Sequence, residues 1–163
     1  MMRRMFSTLV LAGLLAPAAA TAQTPHDHGA SLNERGKRFM GFDQEATTHH
    51  FVLLSDGGRI EVTAKKVTDS SSVRQIRDHL RHIAAVFAKG DFNLPALVHD
   101  NKAVPGVDVI KANAAALTFT FEEIEGGGHV RITGGTPPAA AAVHQFLRFQ
   151  IKDHGTGDPV VVR

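Results

Sequence analysis

The chain carries the signals of two β-hairpins, each followed by an amphipathic helix. In the first unit, β-branched and aromatic residues at 47–54 and an alternating run at 59–63 flank the turn Ser55-Asp56-Gly57-Gly58. An Asp-Gly-Gly turn between two such runs is typical of a hairpin. Residues 73–89 then place apolar side chains at helical spacing until Gly90, which predicts a helix.

The same order recurs in the second half of the chain. Residues 117–121 and 130–133 flank a triglycine turn at 126–128, and residues 139–153 form a second helical pattern that Gly155 closes. Two hairpin-helix units bury their apolar faces most simply in a two-layer α+β domain. The sequence therefore predicts a four-stranded antiparallel sheet with two helices on one of its faces.

The first 22 residues have the pattern of an export signal. Arg3 and Arg4 precede a mostly apolar run at 5–19, and Ala20-Thr21-Ala22 supplies a small-residue cleavage site. The run is too short for a transmembrane helix, and no later stretch lacks charges over the length that such a helix needs. We therefore expect a signal peptide at 1–22, a periplasmic or secreted mature protein, and no stable membrane insertion.

The rest of the chain divides into an arm and one domain. Residues 23–46 show no periodic apolar pattern and predict a flexible N-terminal arm, whereas residues 47–163 are enough for a single α+β domain. Within that domain, residues 92–105 lack a period and predict a connecting loop. Residues 107–116 predict a short helical piece.

Composition after cleavage excludes several kinds of partner and site. Loss of Arg3 and Arg4 leaves 16 of the 18 basic residues against 16 acidic ones, so the mature chain is formally neutral. Net charge therefore gives no support to a nucleic-acid partner. The chain has no cysteine, and Met40 is the one methionine downstream of the predicted signal. A soft Cu(I) site built from sulfur is not expected, whereas imidazole ligands suit Cu(II) or Zn(II).

Ten histidines are the main candidates for chemistry, because imidazole is the commonest protein ligand of transition metals. His79 and His82 lie three apart in the predicted first helix, so both side chains project from one side and can share an ion. Two surface histidines beside arginines are the alternative interpretation of this pair.

Three further histidines depend on how the elements pack. His49 and His50 are neighbours on a predicted strand and face opposite sides of the sheet. Both sides carry apolar residues, which leaves open which histidine points inward. His144 lies at the border of the apolar stripe of the last helix. For each of them a purely structural role is the alternative.

The other histidines lie in the predicted loop, at the end of the last helix, in the arm or toward solvent. His99 precedes Asp100 in the loop, and a carboxylate beside an imidazole suits a ligand and the group that orients it. His154 follows the last helical turn, where the helix dipole alone would explain it. The arm histidines, His26 and His28, form an opportunistic surface chelate at most. His129 is expected to face solvent.

Several of these segments together resemble a family of small exported bacterial proteins with no assigned activity. The resemblance rests on Thr47-Thr48-His49-His50-Phe51, His79-Leu80-Arg81-His82-Ile83, His99-Asp100 with Pro105-Gly106-Val107, and His144-Gln145-Phe146-Leu147-Arg148-Phe149-Gln150-Ile151 through His154. Members are sometimes labelled aspartate carbamoyltransferase, but this chain is far too short for that enzyme and lacks its Ser-x-Arg-Thr-Arg motif. What the resemblance implies is the importance of seven histidines: His49, His50, His79, His82, His99, His144 and His154.

These histidines favour a metal-binding protein that buffers or transfers Cu(II) or Zn(II) in the periplasm. The predicted ligand set has His79 and His82 as its anchor pair and is completed from His49, His50, His144, His99 and His154.

The sequence leaves two other classes open. One is a haem-binding protein with bis-His ligation between phenylalanine walls. The other is a structural or partner-binding domain, with another periplasmic protein as the partner. An enzyme is not favoured, because the chain has no G-x-S-x-G motif, no H-E-x-x-H motif and no cysteine nucleophile.

Overall fold

The structure is a computed structural model that describes residues 25–101 and 103–163. The predicted signal peptide, residues 1–22, lies outside them, as do the side chains of His26 and His28. The helices are α1 (Pro25–Met40), α2 (Ser70–Phe87), α3 (Asn93–His99), α4 (Val107–Ala112) and α5 (Pro137–His154). The strands are β1 (Thr47–Leu54), β2 (Gly57–Ala64), β3 (Leu117–Ile124) and β4 (Gly127–Gly134).

The four strands form one antiparallel sheet in the order β1-β2-β4-β3, which confirms the predicted α+β fold. Each predicted hairpin is present, and the second strand of the first one begins at Gly57 rather than at Arg59. Gly57 pairs with Thr133 at the centre of the sheet, and a Cβ there would lie 2.2 Å from the Ile132 carbonyl oxygen. The glycines of the turn thus also let the two hairpins approach each other closely.

The two long helices, α2 and α5, cover one face of this sheet. Asp69 caps α2 by accepting hydrogen bonds from the backbone N–H groups of Ser71 and Ser72. The α5 helix begins with Pro137 and ends at Gly155, which has a φ of 61°. Between these layers lies a core of aliphatic side chains and four fully buried phenylalanines: Phe42, Phe87, Phe92 and Phe146.

Residues 25–46, predicted as part of a flexible arm, instead form α1 and a short 3₁₀ turn, Gln44–Ala46. Leu32 is 4 % exposed, and the Arg35 side chain donates from Nε to the Val98 carbonyl oxygen at 2.7 Å. This helix packs against α3 through a few side chains. Because so few side chains of α1 pack against α3, the sequence shows no apolar pattern at helical spacing. Tertiary packing, rather than such a pattern, supplies most of the stability of this helix.

The predicted loop at 92–105 is also partly wrong, because its first half contains α3. Pro95 suits the first turn of a helix, where its missing N–H costs no hydrogen bond. Pro95 and Val98 are buried, and the helix ends at Asp100, whose φ of 49° stops further winding. The helical piece predicted at 107–116 is present as α4 and the 3₁₀ turn Ala114–Ala116. None of the described helices is long and apolar enough to cross a membrane.

Gly106 is expected to tolerate no side chain, because two separate constraints act on it. Its φ is 81°, and a Cβ would lie 2.2 Å from the Ala142 carbonyl oxygen in α5. We expect Gly106→Ala to lower the free energy of unfolding by about 2–4 kcal/mol, measured by chemical denaturation.

Gly155→Ala is the matched control for this substitution. Its φ is 61°, but nothing lies within 4 Å of the added Cβ. We therefore expect this variant to lose only about 1 kcal/mol in the free energy of unfolding, from backbone strain. Equal losses for the two variants would contradict a steric role of Gly106 in joining α4 to α5.

Candidate functional site

Four of the predicted histidines line one cavity between the helices and the inner face of the sheet. The cavity measures about 60 Å³ and is mostly apolar. We call it the histidine pocket and define it by His49, His79, His99 and His154. The described residues that line it include no aspartate or glutamate. Met40 is among them.

Each of these histidines lies on a different helix or strand. His49 lies on β1 and shares the inward face with Phe51, which is 3 % exposed. His79 lies midway along α2, His99 ends α3, and His154 is in the last turn of α5. The structure therefore settles the choice that the strand sequence leaves open, because His49 and not His50 faces the helices.

The imidazole rings are packed against one another and against phenylalanines. The rings of His49 and His154 are nearly parallel, with centroids 5.2 Å apart. The centroid of His99 lies 5.0 Å from that of His154, at a steep angle. The ring centroid of Phe42 lies 6.0 Å from that of His49 and 5.4 Å from that of His79, so this ring packs against both. The four histidines thus form one connected group with an aromatic wall.

Three of these rings are uncharged at neutral pH. Burial away from water, with a smaller effect from the nearby His50, lowers the pKa of His49 to about 4. Burial, followed by the effects of His49 and His82, lowers the pKa of His79 to about 4. Burial, with His49 and His99 nearby, lowers the pKa of His154 to about 3, although Asp153 acts in the opposite direction.

His49 also has an unused ring nitrogen inside the protein. Its Nε2 atom is buried and has no hydrogen-bond partner among the described residues. A buried polar atom without a partner costs about 1–3 kcal/mol, so such atoms are rare unless a ligand or water completes them. The pocket therefore presents a neutral imidazole with a free position.

His99 differs from the other three because both of its nitrogens are occupied. Nδ1 contacts the Asp153 carboxylate, and Nε2 lies 2.8 Å from Oε1 of the Gln150 side chain. Because a carboxylate only accepts, we assign a proton to Nδ1, which donates it to Asp153. The predicted pairing of His99 with Asp100 is wrong, because Asp100 is exposed at the end of α3 and Asp153 holds the ring instead.

The other three predicted ligands lie outside the histidine pocket. His82 is exposed on α2, one turn from His79 but directed to solvent. His50 hydrogen-bonds through Nδ1 to Asp158 at 2.9 Å on the opposite side of β1. The His144 Nε2 atom donates to the Leu54 carbonyl oxygen at 2.8 Å, which ties α5 to the end of β1. These contacts give His50 and His144 structural roles.

The arrangement stops short of a formed metal site. Within residues 25–101 and 103–163, no three histidine, aspartate or glutamate side chains have ligating atoms grouped closely enough to hold one ion. The described pocket is a set of neutral imidazoles around a small void.

Four side chains at or beside the pocket are absent from the predicted ligand set: Met40, Phe42, Gln150 and Asp153. Met40 and Phe42 lie in the predicted arm. Only an apolar pattern at helical spacing, which would have predicted α1, could have drawn attention to them. Gln150 offered the one usable signal, since a glutamine on the apolar side of a helix needs a hydrogen-bond partner when buried.

Comparisons of the chain with protein-family models, with curated proteins and with solved structures return no match. The function must therefore be inferred from the pocket.

Proposed function

We propose that the protein binds one transition-metal ion, copper or zinc, in the histidine pocket, and that it buffers or transfers this ion in the periplasm. The proposed ligands are His49, His79 and His154. The observation that carries the proposal is the convergence of these three uncharged imidazoles on one cavity, with the buried Nε2 atom of His49 left without a partner among the described residues.

Their lowered pKa values favour metal binding at neutral pH. An imidazole must lose its proton before it can donate a lone pair to a metal, so protons compete with the ion. Burial holds the pKa of His49, His79 and His154 at about 4, 4 and 3, so this competition is absent at neutral pH. Three neutral imidazoles and an open position form a well-known ligand set for zinc and also suit copper.

The spacing of the His49 and His154 rings suits a shared ion once their side chains rotate. Two imidazoles that bind one ion with metal–nitrogen distances of about 2.0–2.1 Å have ring centroids roughly 5 Å apart at a tetrahedral angle. The centroids of His49 and His154 are 5.2 Å apart, but their rings are stacked with an angle of 16°. Rotation about the side-chain bonds of these two residues would direct a nitrogen of each toward a common point.

Met40 makes copper the better candidate of the two ions. Its side chain lines the same cavity, at the end of α1, and a thioether is a soft donor that copper accepts far better than zinc does. No sequence pattern connects this methionine with the histidines, because it lies in the predicted arm.

The size of the pocket separates a metal ion from haem. A cavity of about 60 Å³ has room for an ion and a few waters, whereas pockets for organic ligands and cofactors measure about 300–1,000 Å³. A catalytic role for His99 is also not supported, because Asp153 and Gln150 occupy both of its nitrogens.

The test is metal binding by the mature protein, expressed without a His-tag and kept away from chelators. We expect about one equivalent of copper or zinc, and we expect His49→Phe, His79→Phe and His154→Phe each to weaken binding at least about 100-fold, because each removes a ligand. Affinities are measured by competition with a chelator of known strength, and folding of each variant by circular dichroism.

His82→Phe is the matched control, because His82 lies one turn from His79 on the same helix but is exposed. It should bind with the affinity of the wild type. Met40→Leu adds a comparison between ions, since it should weaken Cu(I) binding about tenfold or more and leave Zn(II) binding within about twofold. A folded wild-type protein that binds neither ion, or pocket variants that bind as His82→Phe does, would overturn the proposal.

A further inference from the structure

A second cavity lies directly beside the histidine pocket and differs from it in chemistry. It measures about 210 Å³, and His49 and His154 form a wall common to both cavities. Polar residues form the rest of its lining, among them Gln44, Thr48 and Lys65. We call it the polar pocket and define it by Asn33, Gln44, Thr48 and Lys65 together with the two shared histidines.

Local structure fixes the position of Gln44 in this pocket. The Asp43 side chain caps the 3₁₀ turn that begins at Gln44, and the Thr47 hydroxyl donates to the Gln44 carbonyl oxygen at 3.1 Å. The Gln44 side chain lies over Gly36 of α1, where a Cβ would come within 2.8 Å of Gln44 Cγ. A glycine at that position therefore leaves the space that the glutamine occupies.

Lys65 is held at the rim by its backbone. Its N–H donates to the Ala46 carbonyl oxygen at 2.9 Å, directly after β2 ends at Ala64. Its side chain is exposed, and no described acidic side chain lies within ion-pair distance of it. The ammonium group is thus available to a ligand in the pocket.

The lining has donors but no carboxylate among the described residues. Gln44 Nε2 is buried and has no hydrogen-bond partner in the described part of the chain, so it is a donor that a ligand can satisfy. No aspartate or glutamate is among the described residues that line the pocket. The nearby Asp158 already accepts hydrogen bonds from His50, the Phe51 backbone N–H and the Thr156 hydroxyl.

We infer that the polar pocket binds a small oxyanion, a carboxylate or a phosphate, through Gln44, Thr48 and Lys65. An amide donor without a partner among the described residues, a hydroxyl and an available ammonium group are the chemistry that recognises such oxygens. The volume of about 210 Å³ suits an anion of a few heavy atoms. This site does not depend on the proposed metal, because its donors belong to a separate cavity.

The experiment uses metal-free protein, so that its failure and the failure of metal binding are distinguishable. Isotope-labelled protein is titrated with malonate, with phosphate, and with malonamide as an uncharged analogue of malonate, while NMR follows the side-chain amide of Gln44. We expect saturable shifts at Gln44 with at least one of the two anions and none with malonamide. A response to malonate alone identifies a carboxylate site, and a response to phosphate alone identifies a phosphate site.

Lys65→Gln and Lys66→Gln form a matched pair of neighbouring lysines, of which only Lys65 lines the pocket. We expect Lys65→Gln to weaken anion binding about tenfold and Lys66→Gln to change it by less than about twofold. Absence of saturable shifts with both anions, a malonamide response equal to that of malonate, or equal losses in the two lysine variants would overturn the inference.

Discussion

Mild acid is expected to destabilise the metal-free protein strongly, in a range where most proteins remain stable. The pKa values of His49, His79 and His154 in the folded protein are about 4, 4 and 3, against an ordinary value of 6.5. Between pH 6.5 and about 4 the unfolded chain therefore binds protons that the folded protein excludes. By linkage, this contribution to stability is fully present above pH 6.5 and is lost as the pH falls below it.

The expected loss is a large part of the total stability. At about pH 5 each of the three histidines lowers the free energy of unfolding by about 1–2 kcal/mol, after allowance for the partial contact of the rings with solvent. Together they cost about 3–6 kcal/mol, against the roughly 5–15 kcal/mol by which small domains are usually stable. Guanidinium denaturation at about pH 7.5 and about pH 5 measures the difference.

Two observations separate this effect from acid denaturation through carboxylates. The lowered pKa values of Asp56, Asp69 and Asp158 lie below 3.8, so the stability they contribute is lost only below that pH. A His49→Phe/His154→Phe variant should lose most of the dependence between the two pH values, whereas His82→Phe should keep it. Equal stabilities of the wild type at both pH values would show that these histidines titrate normally.

Replacement of Phe146 by alanine is expected to destabilise the protein severely, because this ring lies at the centre of the core. Phe146 is 1 % exposed and joins α5 to the core through edge-to-face contacts with two other rings. Its ring centroid lies 6.3 Å from that of Phe87 and 6.1 Å from that of Phe92. Its truncation removes these contacts and leaves a void beside the histidine pocket. We expect a loss of about 3–5 kcal/mol in the free energy of unfolding.

Leu97→Ala serves as the control for truncation of an apolar side chain. Leu97 is 49 % exposed on α3, so its removal should change the stability by no more than about 0.5 kcal/mol. Both variants are compared with the wild type by guanidinium denaturation at one pH. A Phe146→Ala loss below about 1 kcal/mol would contradict the assignment of this ring to the centre of the core.

Local sequence signals were enough to predict the sheet and the two long helices. The Asp-Gly-Gly and triglycine turns, the alternation beside them and the closing Gly90 and Gly155 each act within a few residues, and the structure confirms the elements they predict. The signals failed for α1 and α3. Those helices are short or poor in apolar residues, and they are held by contacts such as that of Arg35 with Val98, which lies 63 positions away.

The candidate site could be predicted only in part, because spacing along the chain is not spacing in the fold. His79 and His82 satisfy the helical rule for a shared ligand, but the sheet lies on one side of α2 and buries only His79 in the pocket. The partner of His99 is Asp153, which lies 54 positions away rather than next to it. Met40 and Gln44 reach their pockets through elements that the sequence did not reveal.

By itself the sequence determined the α+β architecture, the absence of cysteine chemistry and the set of histidines from which a site could form. Only the tertiary structure decided that His49 rather than His50 faces inward, that four histidines share one cavity, and that His50 and His144 hold other parts of the fold together. The reason is physical. Turns, caps and periodicity act over a few residues, whereas the burial that neutralises a histidine and the choice of its neighbours depend on which layers pack against each other.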